Sequence, residues 1–212
     1  MKKISGILLS AILFAGCYST SSIVKKPCAG IQEDKRLKVA IVDFENKSGD
    51  PSYNSLMGSV SGTLIDELQK TKSFKIIERQ RLETILSELK LNMSGLINPG
   101  NAKQVGKQLG VDAFLFGNLS SIKYTTDKST IYIMWTESQR TDIALDARIV
   151  NVETGEIIAT AKATSYVSQR KWVAFGFAKL GKTMEKNSII QTGLDLSCRQ
   201  LALELACEMI SR

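Results

Sequence analysis

At 212 residues, 43% of them hydrophobic, the chain has room for one compact domain and a leader rather than several domains. Its net charge of +7 is scattered over 28 Lys and Arg and 21 Asp and Glu, which suits a solvated surface near anionic headgroups better than a nucleic-acid stripe. With no histidine and no CxxC pair, a metal site is not expected, and nothing in the sequence calls for a cofactor.

Residues 1–16 read as a lipoprotein signal peptide. Lys2 and Lys3 form a basic start, and residues 4–15 are an apolar run too short to span a bilayer. The run ends in Leu13-Phe14-Ala15-Gly16-Cys17. Small residues before a Cys resemble a bacterial lipoprotein signal, in which Cys17 is diacylated and becomes the first mature residue. An ordinary secretory signal with an incidental Cys is the alternative. Two acyl chains would hold the protein at a membrane, since each buried methylene contributes about 0.8 kcal/mol. Tyr18 follows the Cys where an Asp would favour the inner membrane. In the lipoproteins this resembles, that implies the outer membrane, with the protein lipid-anchored on its periplasmic face.

Residues 17–36 hold Ser, Thr, Lys and one Pro with little periodicity, and are expected to be an extended, lipidated tether. Cys28 lies in it. Cys198 and Cys207 sit nine apart on the last helix, more than two turns from each other, and cannot bridge there. Cys28 can pair with either in an oxidising compartment, and the sequence does not decide which.

Residues 37–82 organise the rest. Residues 38–44 are a Val- and Ile-rich run bounded by turn residues, expected as a strand buried on both faces. Residues 45–51 (ENKSGDP) must turn. Leu56, Val60, Leu64 and Leu68 recur every four residues on one helical face. Residues 74–77 are a second short strand, and Glu78-Arg79-Gln80 opens a helix carrying Leu82, Ile85, Leu86 and Leu89. This rhythm predicts a helix-covered sheet. Residues 93–99 read as a loop, 102–109 as a helix stopped by Gly110, and 111–117 as a third apolar strand.

The texture then changes. Residues 119–142 have no helical period, and 130–136 (TIYIMWT) are strongly strand-prone. A turn is expected at 127–129 or at 136–140. Residues 142–151 alternate, with Ile143, Leu145, Ala147 and Ile149 on one face; 151–156 (NVETGE) form a hairpin turn, and 157–163 return. Residues 164–188 are a second hairpin-like stretch, with a turn expected at 179–182. Residues 189–210 form a closing helix with Ile190, Leu194, Leu201, Leu205 and Met209 along one side.

Four of these blocks together resemble the curli secretion-channel family, the CsgG lipoproteins. They are LFAGC at 13–17, FKIIERQRL at 74–82, RIVNVETGEII at 148–158, and the terminal helix. The resemblance implies an outer-membrane lipoprotein with an α/β periplasmic domain. It also implies a ring of copies, each lending two β-hairpins to a shared transmembrane barrel that exports unfolded subunits with accessory secretion factors. It maps the hairpins onto 119–142 and 164–188, which are a few residues shorter than the family's. A membrane strand needs about 9–11 residues, and a lipid-facing charge at mid-depth costs about 2–4 kcal/mol. Glu137, Arg140, Arg170, Lys171, Lys179 and Lys182 must therefore face the lumen or the headgroups, unless the stretches are soluble hairpins. The family's constriction loop falls on 50–58 (DPSYNSLMG). Tyr53 stands for its tyrosine, Asn54 for its asparagine, and Leu56 replaces a phenylalanine. Tyr53 as an aromatic cover over the start of the helix is the alternative.

An enzyme is not expected. Without His, catalysis would need an Asp/Glu pair, a Lys or a Cys, and Asp43 and Glu45 flank a strand end, a common place for active sites in α/β sheets. Gly58, Ser59 and Gly62 lack the Lys of a phosphate loop. The expected fold is α/β (α+β): a mixed sheet covered by helices over 37–212, with two hairpin extensions that could join an oligomeric transmembrane barrel. The expected partners are outer-membrane lipid, copies of the chain in a homo-oligomeric ring, unfolded secreted subunits and accessory factors, with no nucleic acid. A lipid-anchored periplasmic binding or assembly factor with the same domain and no pore is the alternative.

Overall fold

The computed structural model describes residues 18–22, 28, 30–131, 134–174, 178–180 and 184–211. Its strands are β1 (Tyr18–Ser22), β2 (Leu37–Ile41), β3 (Glu45–Asn46), β4 (Phe74–Ile77), β5 (Ala113–Ile131), β6 (Met134–Asn151), β7 (Ile157–Ala174) and β8 (Ala178–Leu180). Its helices are α1 (Met57–Thr71), α2 (Arg79–Glu88), α3 (Pro99–Leu109) and α4 (Lys186–Ile210). The strands make one sheet in the order β1-β7-β6-β5-β2-β4, with β3 beside β5 and β8 beside β7. β4, β2 and β5 run parallel, while β5, β6, β7 and β1 run antiparallel. This is the expected mixed α+β sheet covered by helices.

Local chemistry sets the helices. Val60, Leu64 and Leu68 are buried on α1, as their four-residue period predicts. Asn98 caps α3 by accepting from the Gly100 and Asn101 N–H groups, and Pro99 occupies the first turn. Gly110 stops it at φ 67°, a left-handed conformation that suits glycine.

Two cores result. α1 and α4 cover one face, over Val39, Leu115, Leu145 and Ile149. α2 and α3 cover the other, over Ala40, Val42 and Phe114. β2 and the start of β5, residues 113–119, lie between the two cores, which is why they read as continuous apolar runs. Ile143, Leu145, Ala147 and Ile149 of β6 alternate as expected, all buried in the α1/α4 core. A Cβ on Gly117 would overlap the Phe44 ring, so only glycine fits where β5 passes it.

The N-terminal arm is more ordered than a tether. β1 pairs antiparallel with β7, Tyr18 opposite Gln169 and Ser22 opposite Ser165. Cys28 is disulfide-bonded to Cys207 near the end of α4, which leaves Cys198 as a buried free thiol. Residues 1–17, with the signal peptide and the lipidation position Cys17, lie outside the described residues.

The three long strands depart most from expectation. β5 has 19 residues and β6 and β7 have 18 each, about 60 Å at about 3.3 Å per residue. A register shift between Leu119 and Ser121 marks where β5 leaves the double-covered region. Beyond it the strands form an antiparallel ribbon. Neither expected turn is there: Asp127 pairs with Ser138, and Lys128 with Glu137, in mid-strand. The chain reverses between Ile131 and Met134, which pair with each other. Lys179 and Leu180, also expected in a turn, pair with Val173 and Trp172. The rest of that expected turn lies outside the described residues. α4 starts at Lys186, inside the stretch expected as the second hairpin. The loop expected at 93–99 contains a 3-10 turn at Met93–Ile97.

Candidate functional site

The loop between β3 and α1 is tightly hydrogen-bonded. Asn46 Nδ2 donates to the Asp50 carbonyl at 2.8 Å and to Asn54 Oδ1 at 2.7 Å. Asn46 Oδ1 accepts from the Ser48 hydroxyl at 2.6 Å and from its N–H at 3.1 Å. The Asp50 carboxylate accepts the Ser52 N–H at 2.9 Å and so caps the 3-10 turn Pro51–Leu56. Hydrogen bonds from Ser52, backbone first, hold the Asp50 carboxyl below its ordinary value, and Lys186 adds attraction.

This one turn carries Tyr53, Asn54 and Leu56. Tyr53 and Leu56 are half-buried against the α1/α4 core, and Asn54 is exposed. The turn stands at the root of the ribbon, because β3 lies beside Asn118 and Leu119 of β5. Lys186 of α4 sits 5.1 Å over the Tyr124 ring in the same neighbourhood. The geometry therefore joins loop, ribbon root and the start of α4.

Sequence reading passed over the role of Arg79. Its guanidinium grips both Asp43 oxygens, from Nη1 to Oδ1 at 2.5 Å and from Nη2 to Oδ2 at 2.8 Å, and its Nε donates to Glu83 at 2.7 Å. The Glu83 hydrogen bond chiefly, then attraction to Asp43, raises its already high pKa. The Glu78-Arg79-Gln80 motif thus pins the start of α2 to the end of β2. A carboxylate at a strand end with an Arg one strand and turn later was the available signal. Glu45 pairs instead with Lys47 at 3.2 Å, so Asp43 and Glu45 have separate cations, although both line one cavity of about 280 Å³ with Arg148.

Beside α3 lies a 460 Å³ cavity walled by Leu96, Pro99, Phe114, Phe116, Val150 and Ile157, with Arg148 at its rim. The Arg148 guanidinium lies 5.6 Å over the Phe116 ring. Glu153, which also lines it, is held by Lys103 at 2.8 Å. Such walls suit an apolar group better than a reaction. The buried Cys198 thiol, with its Sγ 3.7 Å from the Val60 carbonyl, is pushed up to about 12 by burial and is no nucleophile near neutral pH. Among the described residues no three His, Cys, Asp or Glu side chains gather to hold a metal. No described helix is long and apolar enough to cross a membrane, which says nothing about strands.

Comparison with known proteins adds the following. No curated protein matches the chain. Among solved structures, the LpoB C-terminal domain from Salmonella enterica is 18% identical, with a TM-score of 0.43 over 60% of this chain and 81% of that one. Lipoprotein GNA1162 from Neisseria meningitidis is 14% identical, with a TM-score of 0.43 over 74% and 92%. The PelC dodecamer from Paraburkholderia phytofirmans is 11% identical, with a TM-score of 0.39 over 92% and 99%. The sequence profile described as the curli production assembly/transport component CsgG matches residues 29–212. A match that runs through both cores, the ribbon and α4 covers the whole domain, and the chain belongs to the CsgG family.

Proposed function

We propose that this chain is a non-enzymatic outer-membrane lipoprotein that contributes a periplasmic ring to a protein-secretion assembly, with a ribbon that does not span the bilayer. Acylated Cys17 anchors it, copies of the domain associate, and unfolded secreted subunits and accessory factors are its partners. Family membership over residues 29–212 supports the transport role.

The charge pattern of the ribbon carries the choice against a spanning barrel. Strand alternation puts the pair Lys128–Glu137 on one face and the row Asp127–Ser138–Arg170 on the other, with Arg140 on that second face as well. Whichever face met lipid would bring at least two charged residues per subunit, a basic one costing about 2–4 kcal/mol near mid-depth. A spanning barrel needs one face clear of such charge.

A second reading rests on length. Segments 121–131, 134–142 and 164–174 each come near the roughly 9–11 residues of a membrane strand. In that reading they line a shared pore whose constriction is nearest Tyr53, Asn54 and Leu56. The measurement that tests both is the native mass of detergent-extracted protein together with single-channel recording in planar bilayers. A large ring without steady conductance is the expected result. A ring with steady conductance establishes the pore instead. A species of subunit mass without conductance leaves a lipid-anchored binding or assembly factor.

A further inference from the structure

We infer that the sheet face under α2 and α3 carries a docking groove for an extended segment of a partner protein, one that presents an apolar side chain and, two residues away, an Asp or Glu. Such docking needs neither a pore nor an acylated Cys17.

Strand register builds the groove. Ile157 of β7 pairs with Val150 of β6, and Val150 with Phe114 of β5, which makes one apolar cross-strand row. Two residues along the strands, Arg148 pairs with Phe116. Two further on, Asp146 pairs with Asn118, which lies beside Glu45 of β3. The 460 Å³ cavity lies over the first two rows, walled on its far side by Leu96 and Pro99. The 280 Å³ cavity lies over Phe116, Arg148, Asn118 and Glu45. The two share Phe116 and Arg148. Together they make one groove along the strands, with an apolar end, a cation in the middle and a polar end. Its rows are about 6.6 Å apart at about 3.3 Å per residue. An extended chain repeats its side chains on one face at the same interval, so residues i and i+2 of a bound segment fall over successive rows.

Charge complementarity sets what the segment carries. Among the described residues, each carboxylate that lines the groove has its own cation: Asp43 is gripped by Arg79, Glu45 by Lys47 and Glu153 by Lys103. Arg148 is left without a carboxylate and lies over the Phe116 ring at 5.6 Å. A guanidinium stacked on an aromatic face keeps its donors for a carboxylate, which it can bind through two parallel hydrogen bonds. The lip of the groove favours a protein over a small amphiphile. Ile157 is 55% exposed, the most exposed large hydrophobic residue among those described, and it continues the apolar surface outside the cavity. A small molecule held within the cavity leaves that lip wet. A partner that seats an anchor side chain in the cavity covers the lip as well, as the water-excluding contacts around a buried anchor do.

Random nonapeptides displayed on phage, panned against the purified full-length protein, test the groove. The expected result is enrichment of sequences with an aromatic or aliphatic residue two positions from an Asp or Glu. A fluorescein-labelled enriched peptide should lose about tenfold in affinity or more with Arg148→Gln, the order expected for a charge-assisted hydrogen bond. Ile157→Asp should weaken it similarly. Both side chains are exposed, so both variants should keep the wild-type urea midpoint. Arg148→Glu should bind the same peptide once its acid is replaced by Lys, a rescue that general damage to the fold would not give. Enriched peptides that lack the acid, or that bind the variants as tightly as wild type, overturn the inference. Absence of any enrichment overturns it too; if Ile157→Asp then lowers the native mass, the groove is an interface between copies of the chain.

Discussion

The proximal and distal halves of β6 are one strand under two sets of constraints. From Ile143 to Ile149 every second residue is buried against α1 and α4. From Trp135 to Asp142 the same strand carries Trp, Thr, Glu, Ser, Gln, Arg, Thr and Asp, with charges on both faces. Thr141 is buried and Trp135 exposed, so cover fades toward the tip. A period of two survives only where one face has a core to fill. Where neither face does, cross-strand pairs and backbone hydrogen bonds hold the ladder.

The largest expected difference between the halves is energetic. Leu145 is fully buried, so Leu145→Ala should cost about 2–5 kcal/mol through lost transfer energy and the cavity it leaves. Thr126→Ala, at an exposed ribbon position, should stay within about 0.5 kcal/mol. Urea denaturation of the two variants measures both. Comparable losses would mean the ribbon belongs to the cooperative core.

A somewhat smaller effect should separate the arm from the ribbon. The Cys28–Cys207 bridge closes a sequence separation of 179 residues. Cys207→Ser should therefore destabilise by about 2–4 kcal/mol, mainly by freeing the unfolded chain. Hydrogen exchange should show the gain in mobility at the arm and at the end of α4, with β5 to β7 beyond Ser121 unchanged. Lost protection across the ribbon would show that the arm supports it.

The same boundary explains what could be read from the sequence. Val60, Leu64 and Leu68 announced α1, Gly110 announced the end of α3, and the alternation from Ile143 to Ile149 announced the proximal strand. Each has a single buried face or a single required conformation. The ribbon was harder because its polar middle mimics turns. Asp127, Lys128 and Ser129 are turn-formers by type, yet they pair in mid-strand, while the apolar run from Thr130 to Thr136 contains the reversal. β1 was hidden for another reason: its Ser and Thr residues carry no apolar pattern, and its pairing depends on an edge of β7 that only the folded sheet provides. Tyr53, Asn54 and Leu56 were found together on one turn, as their adjacency required. The Arg79 grip on Asp43 was missed because it joins two elements 36 residues apart.

The smallest expected effect lies where the two halves meet. Asp50 caps the turn at the ribbon root, and hydrogen bonds from Ser52 hold its carboxyl below the ordinary 3.8. A depressed folded pKa means that the ionised carboxylate stabilises the fold at pH values above 3.8, and that this support is lost as pH falls through the lower folded value. Asp50→Asn keeps an acceptor for the Ser52 N–H but cannot titrate. The two proteins should therefore melt at slightly different temperatures above the ordinary carboxylate range, wild type higher, and converge once pH has fallen through the lowered folded value. A difference that stays constant across that range would mean the negative charge on Asp50 contributes nothing. The turn would then be held by hydrogen-bond geometry alone, and the attraction to Lys186 could not be part of what ties the ribbon root to the start of α4.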